Sequence, residues 1–111
     1  MKYLLTLLII FSSGVQAETF YSKSSAVSSL SLGGSSFSGF RVKLETMEDP
    51  GQSCNHNSWY MYEHTDSDEN YNAVYSTLLS SKLAEKSVSF QIIGCITVGD
   101  RTYPKITHVY F

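Results

Sequence analysis

Residues 69–95 read ENYNAVYSTLLSSKLAEKSVSFQIIGC, and the spacing of their apolar residues changes partway along. Tyr71, Val74, Tyr75, Leu78, Leu79 and Leu83 recur at intervals of three and four, which puts them on one stripe of a helix. From Ser87 the interval becomes two. Val88, Phe90 and Ile92 alternate with Ser89, Gln91 and Ile93, the period of a strand. Asp66, Ser67, Asp68 and Glu69 stand where the helical stripe begins, and there Asp or Ser can cap and anions oppose the helix dipole favourably. Lys82 and Lys86 stand near its end, where cations belong. The spacing predicts a helix over 69–84 and a strand over 87–95.

Upstream of this block the pattern is that of strands and turns. Phe40, Val42 and Leu44 alternate with Arg41, Lys43 and Glu45, giving a strand over 40–46 with one buried and one wet face. Ala26–Leu32 is an earlier strand, with Leu30 and Leu32 on one face and serines on the other. Gly33-Gly34-Ser35-Ser36 forms the turn between the two, and Glu18–Ser25 is an irregular or short extended lead. Asp49-Pro50-Gly51-Gln52 fits a type II turn, because Pro presets φ and Gly accepts a positive one. Trp59–His64 is a third strand, with either the Tyr60/Tyr62 side or the Trp59/Met61 side toward the core. Downstream, Gly99-Asp100 marks a loop and Ile106–Phe111 a last strand rich in β-branched and aromatic residues. The order β-β-β-α-β-β is mainly β with one helix. It is the layout of an OB-fold-like five-stranded small barrel.

The first seventeen residues stand apart. Lys2 precedes an apolar run, Leu4–Phe11, broken only by Thr6, and Val15-Gln16-Ala17 offers small residues for a signal peptidase. We read 1–17 as a secretory signal peptide cleaved after Ala17, leaving 18–111 as a single domain in the periplasm or outside the cell. The run is too short to span a bilayer, which needs about 20 residues. Without Lys2, seven basic residues face ten acidic ones, a net charge near −3 with no basic patch. That balance opposes nucleic acid or an anionic lipid surface as a partner.

Cys54 and Cys95 are the only cysteines, and in an oxidising compartment they join. Closing a loop of 41 residues restricts the unfolded chain by roughly 4 kcal/mol in the entropy model. That is a large share for a domain this small. The pair lacks the CxxC spacing of a redox or zinc site. Asp66, Asp68 and Asn70 have the alternation of a calcium loop, but Tyr71 and Thr77 occupy the places that need glycine and glutamate. They read as acids at a helix start. His56, His64 and His108 show no metal-ligand spacing, and no Gly-x-Ser-x-Gly elbow supports a serine nucleophile. We expect no enzymatic activity, no metal and no cofactor.

Trp59, Tyr60 and Tyr62 follow Asn55-His56-Asn57-Ser58, so aromatic faces adjoin amides and a hydroxyl. Such a grouping serves sugar binding if the rings are exposed and simply fills a barrel if they are not. The favoured reading is that one or two of the rings fill the barrel.

The segments YSTLLSSKLAEKSVSFQIIGC (75–95) and YPKITHVY (103–110), with Cys54 ahead of an aromatic strand, resemble a group of small exported bacterial proteins of OB-fold type. The helix-then-strand block is also similar to the B subunits of AB5 toxins of the subtilase-cytotoxin and pertussis-like kind. That resemblance implies a non-enzymatic module that binds glycans or a cell-surface protein and assembles into a homo-oligomeric ring through a strand edge. It also implies a sugar-contacting serine, matched here by Ser38 in Phe37-Ser38-Gly39. The strand at Ala26–Leu32, ahead of that triplet, departs from the pattern. The ligand-binding candidates are therefore Ser38, Trp59, Tyr60 and Tyr62. The alternative role is a protein-interaction or inhibitor module with no sugar site.

Overall fold

A computed structural model describes residues 18–33 and 37–111. The expected signal peptide, 1–17, and the Gly34–Ser36 part of the expected first turn lie outside the described residues. The elements are β1 (Phe20–Tyr21), β2 (Ser25–Leu32), β3 (Gly39–Leu44), β4 (Tyr60–Glu63), α1 (Tyr71–Leu83), β5 (Ser87–Val98) and β6 (Arg101–Tyr110). Strands β2, β3, β4, β6 and β5 pair in that order, and β5 pairs back to β2. Every joint in this circuit is antiparallel except β4–β6. With α1 between its third and fourth strands, the circuit is an OB-fold-like barrel. Its closure is uneven. The β2–β5 joint has two partner pairs and the parallel β4–β6 joint has one, Met61↔Lys105.

The sixth strand, β1, was expected only as an irregular or short extended lead. It pairs Phe20 with Ile92 and Tyr21 with Gln91 on the edge of β5. Ser22 secures it: its N–H donates to the Phe90 carbonyl at 2.9 Å, and its hydroxyl accepts from the Phe90 N–H at 2.9 Å. The two long strands also outrun their sequence signals. β5 and β6 form one hairpin whose turn is Gly99-Asp100 alone, with Gly99 at φ 64°. The turn needs that positive φ, which glycine adopts without steric cost. Register shifts between Ile92 and Cys95 absorb Gly94 (φ 76°), and Pro104 sits opposite Cys95.

A bulge also corrects the reading of β2. Its register shifts between Val27 and Ser29, so Val27 and Leu30, three residues apart, both reach the core. Leu32, expected to share the buried face, is exposed at the strand's end.

The helix is shorter than the predicted 69–84. It starts after Asn70, and no acid lies in its first turn. Asp68 instead receives the Asn70 N–H at 2.9 Å from outside the helix. Lys82 does lie in the last turn, while Lys86 lies beyond it. Leu78 is the fully buried anchor of α1, whereas Leu79 and Leu83 point to solvent. Tyr71, Val74 and Tyr75 pack on the barrel core from its flank.

The core inside the circuit is built from Phe40, Val42, Leu44, Tyr60, Leu78, Val88, Phe90 and Ile92. A second, smaller apolar cluster holds Met61, Ile96 and Tyr103, covered in part by Phe37, Trp59 and Val98. This settles the face of β4 that the sequence left open. Tyr60 is 0% exposed in one cluster and Met61 3% exposed in the other, so β4 is buried on both sides. The Cys54–Cys95 bridge is formed, with a Cα–Cα separation of 5.8 Å. Among the described residues, no helix is long and apolar enough to cross a membrane.

Candidate functional site

A groove of about 690 Å³ lies between the end of β4, the loop into α1, the first turns of α1 and the last residues of β6. It follows from the thin parallel joint. β4 and β6 meet at Met61↔Lys105 and share no further ladder pair. Apolar groups from Tyr62, Val74, Ile106 and Val109 line the groove. Polar groups from Thr65, Asp68, Asn70, Thr77, Thr107 and His108 line it too.

Tyr62 is the best-fixed of these side chains. Its ring stacks on Phe40 with centroids 4.9 Å apart and planes 4° apart. Its hydroxyl donates to Asp68 Oδ2 at 2.7 Å, while Asp68 Oδ1 accepts the Asn70 N–H. One carboxylate thus ties β4 to the helix start. Burial first, and then the hydrogen bond to Asp68, push the Tyr62 phenol up to about 12. Burial likewise raises Tyr71, with Tyr75 adding to the effect. Across the groove, Thr107 donates to the Gln91 carbonyl and to Gln91 Oε1 at 3.1 and 3.0 Å, which orients β6 against β5.

The four sequence candidates do not converge. Tyr62 lines the groove. Tyr60 is sealed in the barrel core, edge-on to Phe90, and its hydroxyl donates to the Glu48 carbonyl at 2.8 Å. No ligand reaches it there, and burial raises its phenol's affinity for its proton. Trp59 lies on the β3 side with Arg41 and Lys43 each 4.5 Å from its ring centroid, and it does not line the groove. Ser38 is exposed outside the groove, and its carbonyl accepts from the His64 N–H at 2.9 Å.

Of the two asparagines shortly before Trp59, Asn55 has a structural task. Asn55 exchanges hydrogen bonds with Thr102, its N–H donating to Oγ1 at 2.8 Å and its Oδ1 accepting the Thr102 N–H at 2.6 Å. Its side-chain nitrogen donates to the Asp100 carbonyl at 3.1 Å. Gln52 accepts the Gly94 N–H at 2.7 Å. The loop before β4 is thereby sewn to the β5–β6 hairpin beside the disulfide.

His56, His64 and His108 each pack against a different tyrosine, Tyr103, Tyr71 and Tyr110 respectively. Among the described residues, no three histidines, cysteines or carboxylates cluster as metal ligands would. Sequence reasoning found Tyr62 but missed Thr107 and His108 as its neighbours across the groove. They come from a strand more than forty residues away, and only the parallel joint brings them near. No protein-family model, curated protein or solved structure matches this chain.

Proposed function

We propose that the protein is exported, clipped after Ala17, and acts as a non-enzymatic binding module for a glycan, the role implied by its resemblance to toxin B subunits. The leader sequence and the disulfide support export. One observation carries the binding reading: a groove of about 690 Å³ that combines an aromatic ring with hydroxyl, amide and carboxylate groups on fixed elements. Pockets for small ligands have this make-up, apolar walls with a few placed polar groups. Tyr62 and Val109 would meet the apolar face of a sugar ring, and Asp68, Asn70 and Thr107 its hydroxyls.

A glycan array probed with the mature protein tests this. Ala73 lines the groove from an exposed helix position, so Ala73→Phe fills the groove at little cost to folding. Binding that Ala73→Phe abolishes upholds the reading, and binding unaffected by it removes the groove from consideration.

A second reading, a protein-interaction module without a sugar site, draws on a different observation. β6 meets β4 at one ladder pair, and Tyr110 and Phe111 at its end are exposed. An edge of that kind can take a strand from a partner or a second copy and so build a ring. Light scattering showing a plain monomer would remove the ring.

A further inference from the structure

On the outer face of β2 and β3, we infer a second binding site in which Arg41 and Lys43, held against Trp59, receive the carboxylate or sulfate of an acidic saccharide. None of these three residues lines the groove. The saccharide half of this inference rests on the glycan-binding reading above, and the anion half rests on charge and geometry.

Arg41 and Lys43 alternate along β3 and so project from one face. The guanidinium carbon and the ammonium nitrogen both lie 4.5 Å from the Trp59 ring centroid. Cation–π contact fixes the two long side chains, which lowers the entropy lost on binding an anion. Among the described residues, neither cation pairs with a carboxylate. The segments 1–17 and 34–36 contain no Asp or Glu, so they hold no missing counterion.

The facing strand sharpens the point. Opposite Arg41 and Lys43 in the ladder stand Ser31 and Ser29. Acids there would make a structural cross-strand ion pair. Serines leave the charges open and add two hydroxyls on the same face. A chain with formal net charge −2 therefore carries a local pair of uncompensated cations backed by an indole. Two cations match a single anionic group. A polyanion such as nucleic acid, or a charged bilayer, needs a broad basic face that this chain lacks. The indole is already engaged by cations, so the anion and not a stacked sugar ring makes the main contact.

Trp59 is the only tryptophan, so its fluorescence reports on this site directly. The mature protein is titrated with a heparin-derived tetrasaccharide, which carries sulfate and carboxylate, with a tetragalacturonate, which carries carboxylate alone, and with neutral maltotetraose. We expect a saturable change in Trp59 emission with one or both acidic sugars, none with maltotetraose, and weakening as salt rises. A response to both acidic sugars assigns the carboxylate, and a response to the heparin fragment alone assigns the sulfate. Arg41→Gln and Lys43→Met should each weaken binding roughly tenfold, the loss of one charged hydrogen bond. Lys43→Met keeps an apolar stem along the ring, so its melting temperature should stay that of the parent.

Ala73→Phe should leave this response intact. Failure of the groove and failure of this site are then told apart. The inference is overturned by silence with both acidic sugars, by an equal response to maltotetraose, or by a response that survives the double variant. It is also overturned if phosphatidylglycerol vesicles or a single-stranded oligonucleotide shift the emission while the tetrasaccharides do not.

Discussion

The two faces of β4 lie on two apolar clusters of different construction. On one side Tyr60 joins Phe40, Phe90, Leu78 and Ile92 inside the strand circuit, all 0% exposed. On the other, Met61 joins only Ile96 and Tyr103, under partly exposed Phe37, Trp59 and Val98. The inner cluster is the larger and the more fully buried. The outer one is small, and it is flanked by the Cys54–Cys95 bridge and the Asn55–Thr102 hydrogen bonds. The difference teaches that this barrel is stabilised by packing within and by tethering without.

Truncation inside should have the largest effect. Phe90→Ala removes a fully buried ring and should cost about 4–5 kcal/mol in denaturant unfolding. Removing the bridge with Cys54→Ser and Cys95→Ser together frees a 41-residue loop and should cost roughly 3–4 kcal/mol in the chain-entropy account. Met61→Ala, in the tethered cluster, should cost about 2 kcal/mol, the low end for a buried methionine. A Met61→Ala cost equal to that of Phe90→Ala would erase the distinction between the two faces.

The smallest expected effect is at the groove. Tyr62→Phe keeps the ring on Phe40 and deletes the hydrogen bond to Asp68, costing about 1 kcal/mol. It also carries a pH signature. The folded phenol titrates at about 12 against an ordinary 10, so the folded state keeps a proton that the unfolded chain has lost. That contribution is complete below pH 10 and fades as pH rises toward 12. Urea unfolding across this window should show a steeper decline for the parent than for Tyr62→Phe.

Some of this was legible in the sequence and some was not, for physical reasons. The interval of two over Phe40–Leu44 gives β3 because that strand has one dominant buried face, and the interval of three and four gives α1 through Tyr71, Val74, Tyr75 and Leu78, which pack on the barrel, while Leu79 and Leu83 do not. β4 resisted because it is buried on both sides, which leaves no alternation to read. β1 is two residues long, too short to express any period. The β5–β6 hairpin was underestimated at both strands: the predicted β5 ran through Gly94 but stopped at Cys95, and the last strand was begun only at Ile106, past Pro104, which looks like a breaker and which the ladder seats opposite Cys95. Of the candidate site, Tyr62 was named from its aromatic neighbours, while Asp68 was read as a helix-start acid and not as its hydrogen-bond partner. Arg41 and Lys43 passed for the wet face of a strand. The usable signal was the absence of acids among the serines of β2.

The disulfide lies next to the thinnest stitch in the barrel. Cys95 faces Pro104 in the hairpin, and Lys105, the following residue, makes the only β4–β6 ladder pair. The bridge therefore fastens the segment entering β4 to the hairpin close to the seam that hydrogen bonds hold least. A thiol reductant would act less as a general denaturant than as a key to one door. Amide exchange and protease cuts would appear first along β4, while the helix and β3 stayed shut.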